Sequence, residues 1–167
     1  MPKKTIPPRK TVRQSQSEIT QVVLPNDANP LGTILGGKVM HLVDIVAAIA
    51  AHRHSSSFVV TAAVDHMDFR CPIRVGEVIV LKSSVNRVFH CSMEVGVKVF
   101  REEQFTNRRR HTSSAYLTFV AIDENRKPKS APKIFPETTT EKRRYREAEN
   151  RRRWRISQLR SKQARAR

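Results

Sequence analysis

From Val39 to Ala51 the chain reads VMHLVDIVAAIAA, and only His41 and Asp44 in that run are polar. A helix written over Leu35 to His54 on this run has almost no polar face, so other parts of the molecule must cover it nearly all round. That demand constrains the rest of the fold more than any other feature. It also poses a chemical question, because an unpartnered carboxylate in such surroundings costs several kcal/mol or shifts its pKa. Groups held at that cost cluster at working sites. A core aspartate hydrogen-bonded to a loop backbone is the structural alternative.

The flanking segments are of a different kind. SEITQVVLP, starting at Ser17, alternates as a first strand, and NDANPLGTILGG gathers loop residues and three glycines before the helix. SFVVTAAVDHMDF is β-branched with a rough two-residue period. RCPIRVGEVIVLKSSVNRVF predicts a turn at Pro72 and a long strand, HCSMEVGVKVFREE its partner, and RRRHTSSAYLTFVAID a further strand closed by DENRKPK. One strand, one apolar helix and four strands make an α+β layer arrangement. Connections this short force the last strands to be antiparallel. Since the helix lacks a face for solvent, the sheet must curl around it or a second subunit must cover it, and long strand edges invite pairing with another copy. A homodimer at least is expected.

Charge divides the 167 residues into three parts. Of a formal net charge of +17, residues 1–13 hold five Lys or Arg and no acid, and residues 141–167 hold twelve against three Glu, which leaves about +3 for the middle. The expected organisation is a basic flexible leader over 1–16, one domain over 17–136, and a basic C-terminal helix over 137–167. In the tail, Tyr145, Ala148, Arg152, Ile156 and Leu159 form a thin stripe at helical spacing that predicts weak docking. The basic run could also hold RNA or an anionic membrane, with Trp154 or Tyr145 stacking. It is read instead as an accessory feature, and nucleic acid is not the expected partner. Cys71 and Cys91 form no CxxC pair and read as reduced thiols. No apolar run reaches the roughly eighteen residues of a membrane span, and the proline-rich start lacks a secretory core. A cytoplasmic protein is expected.

Several residues carry candidate chemistry. Gly36 and Gly37 stand at the helix start, where unpaired N–H groups and the positive dipole end face outward, and a missing side chain leaves them reachable. Gly37 lies two turns before Asp44, so a bound group touching the amide would lie near the carboxylate: an oxyanion site beside a general base. Asn26, Asp27 and Asn29 belong to the preceding loop, and Thr61 could hydrogen-bond the carboxylate from the following strand. His41, three residues before Asp44, could form a dyad with it, but packing is the commoner explanation for such a residue. His52 and His54 do not share a helix face, and with no HExxH a metal site is not expected. GxSxG and P-loop motifs are absent as well.

Taken together, LPNDANPLGTILGGKVMHLVD, VVTAAVDHMDFRCPIRVGEVI, HCSMEVGVKVF and AYLTFVAIDENRKP, in that order, resemble the acyl-CoA thioesterases of the hotdog fold, of the cytosolic acyl-CoA hydrolase type. The resemblance covers about residues 17–136. It implies a curved antiparallel sheet wrapped around one long helix, dimers with a continuous ten-stranded sheet, commonly a trimer of dimers, and sites at the dimer interface. It assigns the catalytic aspartate to Asp44, the asparagine to Asn29, the polarising amide to Gly37 and the threonine to Thr61, with Asn29 and Asp44 of one site coming from different subunits. The implied substrate is acyl-CoA, hydrolysed to free CoA and a carboxylic acid, with no cofactor beyond the CoA of the substrate. Asp44 would act as general base or as nucleophile. A catalytically silent acyl-CoA sensor on the same fold is the alternative. In the family a short Arg-Ser-Ser-like segment touches the nucleotide. Here it stands as His90, Cys91, Ser92, which replaces a permanent cation, and Arg87 just upstream could substitute.

Overall fold

The computed structural model describes residues 9–106 and 108–165. The apolar run forms helix α1 (Gly36–Ser55), close to its expected bounds. Val39, Leu42, Val43, Val46, Ala47, Ala50 and Ala51 are buried along it, and the alanines let the sheet approach closely. That sheet has five strands in the order β2-β4-β5-β6-β3, all antiparallel. They are β2 (Ser17–Val22), β3 (Phe58–Met67), β4 (Val78–Phe89), β5 (Ser92–Glu102) and β6 (Arg109–Ile122). Strand alternation turns Ile79, Leu81 and Val85, then Met93, Val95, Val97 and Val99, then Ala115, Leu117, Phe119 and Ala121 into one core with α1. One polar stitch crosses that core, where the Ser83 hydroxyl donates to the Val46 carbonyl at 2.8 Å.

Among the described residues the helix is not covered all round. Met40, Ile45 and Ile49 are exposed on its free flank, and so are Phe58, Val60 and Val64 on β3, an edge strand that pairs with β6 alone among those residues. The polar face missing from the sequence is thus replaced by an apolar flank beside an open sheet edge.

Residues 9–16 differ from the expected flexible leader; residues 1–8 lie outside the described residues. Strand β1 (Arg9–Thr11) pairs in parallel with β7 (Lys133–Phe135), in the register Arg9 to Lys133. A 3-10 turn over Val12–Ser15 follows, with Val12 and Ser15 buried. The Ser15 hydroxyl accepts from the Val85 amide at 3.0 Å. Lys10 closes the C-terminal end of α1, its Nζ donating to the Arg53 carbonyl at 3.0 Å and to Ser56 Oγ at 2.8 Å, where a cation suits the negative dipole end.

The tail forms α2 (Thr139–Arg165). Its start is capped reciprocally: the Glu141 carboxylate accepts from the Glu137 and Thr138 amides, and Thr138 Oγ1 accepts from the Glu141 amide. The helix lies across the outer face of the sheet, and charge holds it more than the expected apolar stripe does. Ala148 is buried and Tyr145 packs on the core, but Leu159 is exposed. Arg151 donates twice to the fully buried Glu94, at 3.0 and 2.7 Å, and sits over the Tyr116 ring. Arg155 reaches both oxygens of Asp65 at 2.8 Å.

His54, buried at the end of α1, donates from Nε2 to the Pro132 carbonyl at 2.8 Å. Burial pushes its pKa below the ordinary histidine value, with the Pro132 bond opposing that shift and Lys10 adding to it. On acidification through about 6.5 the unfolded chain takes up the proton first, so stability is present above that pH and falls below it. Urea unfolding at pH 7.5 and 5.5 should show this loss, and His54→Gln should reduce the difference.

Candidate active site

The loop between β2 and α1 is braced against the helix start. Asp27 carries most of the bracing, its carbonyl accepting from the Leu35 amide at 2.9 Å and its carboxylate pairing with Lys38 Nζ at 3.0 Å. Asn29 shapes the loop itself, where Oδ1 accepts from the Leu31 amide, the Thr33 amide and the Thr33 hydroxyl. The three bonds use one oxygen, so the two donors of the side-chain amide are not consumed by them. Gly32 takes φ +70° in the same turn, a conformation that favours glycine.

At the head of α1, Leu35 offers no side-chain cap, so the first-turn amides have no helical partner. A Cβ placed on Gly37 would meet nothing within 4 Å, whereas one on Gly36 would touch the Phe69 ring at 3.6 Å. Gly37 is thus the open amide of the pair. Seven residues separate it from Asp44, about 10 Å of helix rise on one face. Asp44 is half-buried in the single chain, on the flank that Met40 and Ile45 also occupy. The Thr61 hydroxyl donates to Asp44 Oδ1 at 2.8 Å. A β-bulge follows Thr61 in its pairing with β6, and bulges re-aim side chains of this kind. The bond fixes one carboxylate oxygen and leaves the second for another partner.

The segment expected to touch the nucleotide joins β4 to β5. His90 adopts φ +72°, its carbonyl accepts from the Ala131 amide at 2.8 Å, and Cys91 is a half-buried free thiol. Ser92 opens β5. Thr61 pairs with Phe119 and Phe119 with Met93, so this turn lies two strands from Thr61 at nearly the same level, about 10 Å across the sheet. Arg87 is placed otherwise than a phosphate ligand needs. Its guanidinium pairs with Glu149 at 2.9 Å, donates to the Tyr145 carbonyl and stacks over the Tyr145 ring at 4.2 Å. It clamps α2.

Residues 31–106 match the family model described as the Thioesterase superfamily. A Bacillus subtilis protein named an uncharacterized acyl-CoA thioester hydrolase is 40% identical over 81% of this chain and 78% of its own length. The chain belongs to the thioesterase superfamily. Other members resemble it as closely in shape. The acyl-CoA hydrolase of Staphylococcus aureus, solved with butyryl coenzyme A, coenzyme A and coenzyme A disulfide, superposes with a TM-score of 0.87 at 36% identity over 94% of this chain and 96% of that one. A hexameric acyl-CoA thioesterase gives 0.88 at 40% identity over 91% and 97%. The mouse cytosolic acyl coenzyme A thioester hydrolase is 37% identical over 87% of this chain, which spans 39% of the mouse protein. The wrapped helix of this superfamily member is therefore the hotdog fold that its sequence blocks imply.

Two features of this thioesterase-superfamily chain were not visible beforehand. Glu94 stands between apolar neighbours in SMEVGV, and that setting was its signal. The pairing of Arg9 with Lys133 had none.

Proposed function

We propose that the chain hydrolyses acyl-CoA thioesters to free CoA and a carboxylic acid, as a homo-oligomer, with Asp44 as general base or nucleophile. The observation that carries this reading is the Thr61–Asp44 bond of 2.8 Å, on a helix face that ends in the open amide of Gly37. Thr61 holds one carboxylate oxygen, so the other is aimed for proton removal from water or for attack on the thioester carbonyl. The Gly37 N–H and the dipole end of α1 stabilise the oxyanion as it forms. A general base contributes about 10²–10⁴ in rate and one oxyanion donor about 10²–10³, so these groups suffice with CoA entering only as part of the substrate.

The exposed apolar flank of α1 and the open edge of β3 support dimerisation through that side. Closing the seam there would dry Asp44 and bring Asn29 of the second copy to the site, its free amide donors ready to hold water. The hexameric relative supports a trimer of such dimers, and the free thiols suit a cytosolic setting.

Purified protein mixed with acyl-CoA and a thiol reagent tests the reading. Catalytic release of free thiol is expected, and retained CoA binding without release would leave a binding protein instead. Thr61→Val removes the donor that orients Asp44. A hydrogen bond to a charged group is worth about 1.5–3 kcal/mol, so kcat should fall roughly tenfold to a hundredfold, with KM for acyl-CoA little changed.

A further inference from the structure

A second cleft lies beyond the β4–β5 turn. It has a volume of about 320 Å³ and is walled by Arg9, Val88, His90, Lys133, Phe135 and Tyr145, among others. Among the described residues, no carboxylate lines it. Arg9 and Lys133 are register partners in the parallel β1–β7 pair, so their side chains leave the same face of neighbouring strands about 5 Å apart. Like charges at paired positions repel and destabilise the ladder. The remaining ladder positions show which way this face points: Lys10 reaches back to α1 and Ile134 is buried, which turns Arg9, Lys133 and Phe135 outward. The pair is a doubly cationic seat beside a half-exposed aromatic ring, with His90 on its rim.

From this juxtaposition we infer that Arg9 and Lys133 bind the 3′-phosphate of CoA, with the adenine against Phe135. The assignment rests on the acyl-CoA reading above. A phosphate monoester carries close to two negative charges and matches two adjacent cations. A 3′-phosphate is attached to the same ribose as the base, which fits cations and an aromatic face in one cleft, and base stacking on such a face is favourable. Position agrees as well. His54 lies ten residues beyond Asp44, about 15 Å along α1, and its ring bonds Pro132, the residue before Lys133. That separation is bridged by an extended pantetheine arm. The permanent cation absent from the β4–β5 turn is supplied here by two strands far apart in sequence, while Arg87 is spent on α2.

Kinetics with acyl-CoA and the matching acyl-dephospho-CoA, which lacks only this phosphate, test the assignment. The parent should favour acyl-CoA in kcat/KM by about tenfold or more. The double variant Arg9→Gln with Lys133→Gln should lose that preference through KM, and Lys133→Arg should keep it. A parent without preference, or a double variant that retains it, would overturn the assignment. If the parent cleaves neither thioester, the hydrolase reading fails separately. The cleft is then tested by titration with adenosine 3′,5′-bisphosphate and AMP: tighter bisphosphate binding, lost in the double variant, supports it, and equal binding overturns it.

Discussion

Asp44→Asn is expected to lower kcat for acyl-CoA hydrolysis by about a hundredfold or more, with KM and oligomeric state close to the parent's. The amide has the shape of the carboxylate, and its oxygen can still accept from the Thr61 hydroxyl that now reaches Asp44 Oδ1 at 2.8 Å. What it loses is the capacity to take a proton or to attack a carbonyl carbon. The substitution therefore separates chemistry from packing more cleanly than alanine would. Thiol-release kinetics with size-exclusion chromatography of the same sample give both readouts. Turnover within a fewfold of the parent would remove Asp44 from its role, and the Gly37 amide alone could not sustain the mechanism.

Arg151→Ala should be the most destabilising single change on α2. Glu94 is fully buried beneath that helix and receives two hydrogen bonds from Arg151 and one from the Asn86 side chain at 2.9 Å. Removing the guanidinium leaves a buried carboxylate facing one neutral donor, and breaking a buried pair in this way costs about 3–5 kcal/mol. Denaturant unfolding measures the loss directly. Replacing both partners, as Glu94→Met with Arg151→Met, should recover most of it, because an apolar pair of similar volume needs no solvation. A loss under about 1 kcal/mol in Arg151→Ala would mean that α2 is held elsewhere, at Arg155 with Asp65 and Arg87 with Glu149.

The parts of this molecule that could be read in the sequence are those whose signal is local. Helix α1 followed from thirteen nearly unbroken apolar residues, and β4, β5 and β6 from runs of β-branched residues between short turns. The grouping of Gly37, Asp44 and Thr61 was legible because two of them share one helix and the third lies in the next strand. What escaped depends on contacts between distant positions. A three-residue strand such as Arg9–Thr11 has no period to detect, and its partner lies near the other end of the domain. Arg87 looked available because Glu149 is far from it in sequence, yet the fold brings them to 2.9 Å. Whether the sheet or a second copy covers the helix was left open by the sequence, and in the single chain the sheet leaves Met40, Ile45 and Ile49 exposed.

The β1–β7 ladder joins residues 9–11 to the last strand before α2, and Val12, Ile134 and the His54 imidazole are buried. Residues 9–16 are therefore a built part of the domain rather than an appendage to it. Trimming the chain back to the first long strand would unseat β7 as well, opening the far end of α1 to water and dismantling one side of the cleft. A segment that composition alone marks as expendable is in this way the clasp that shuts the domain.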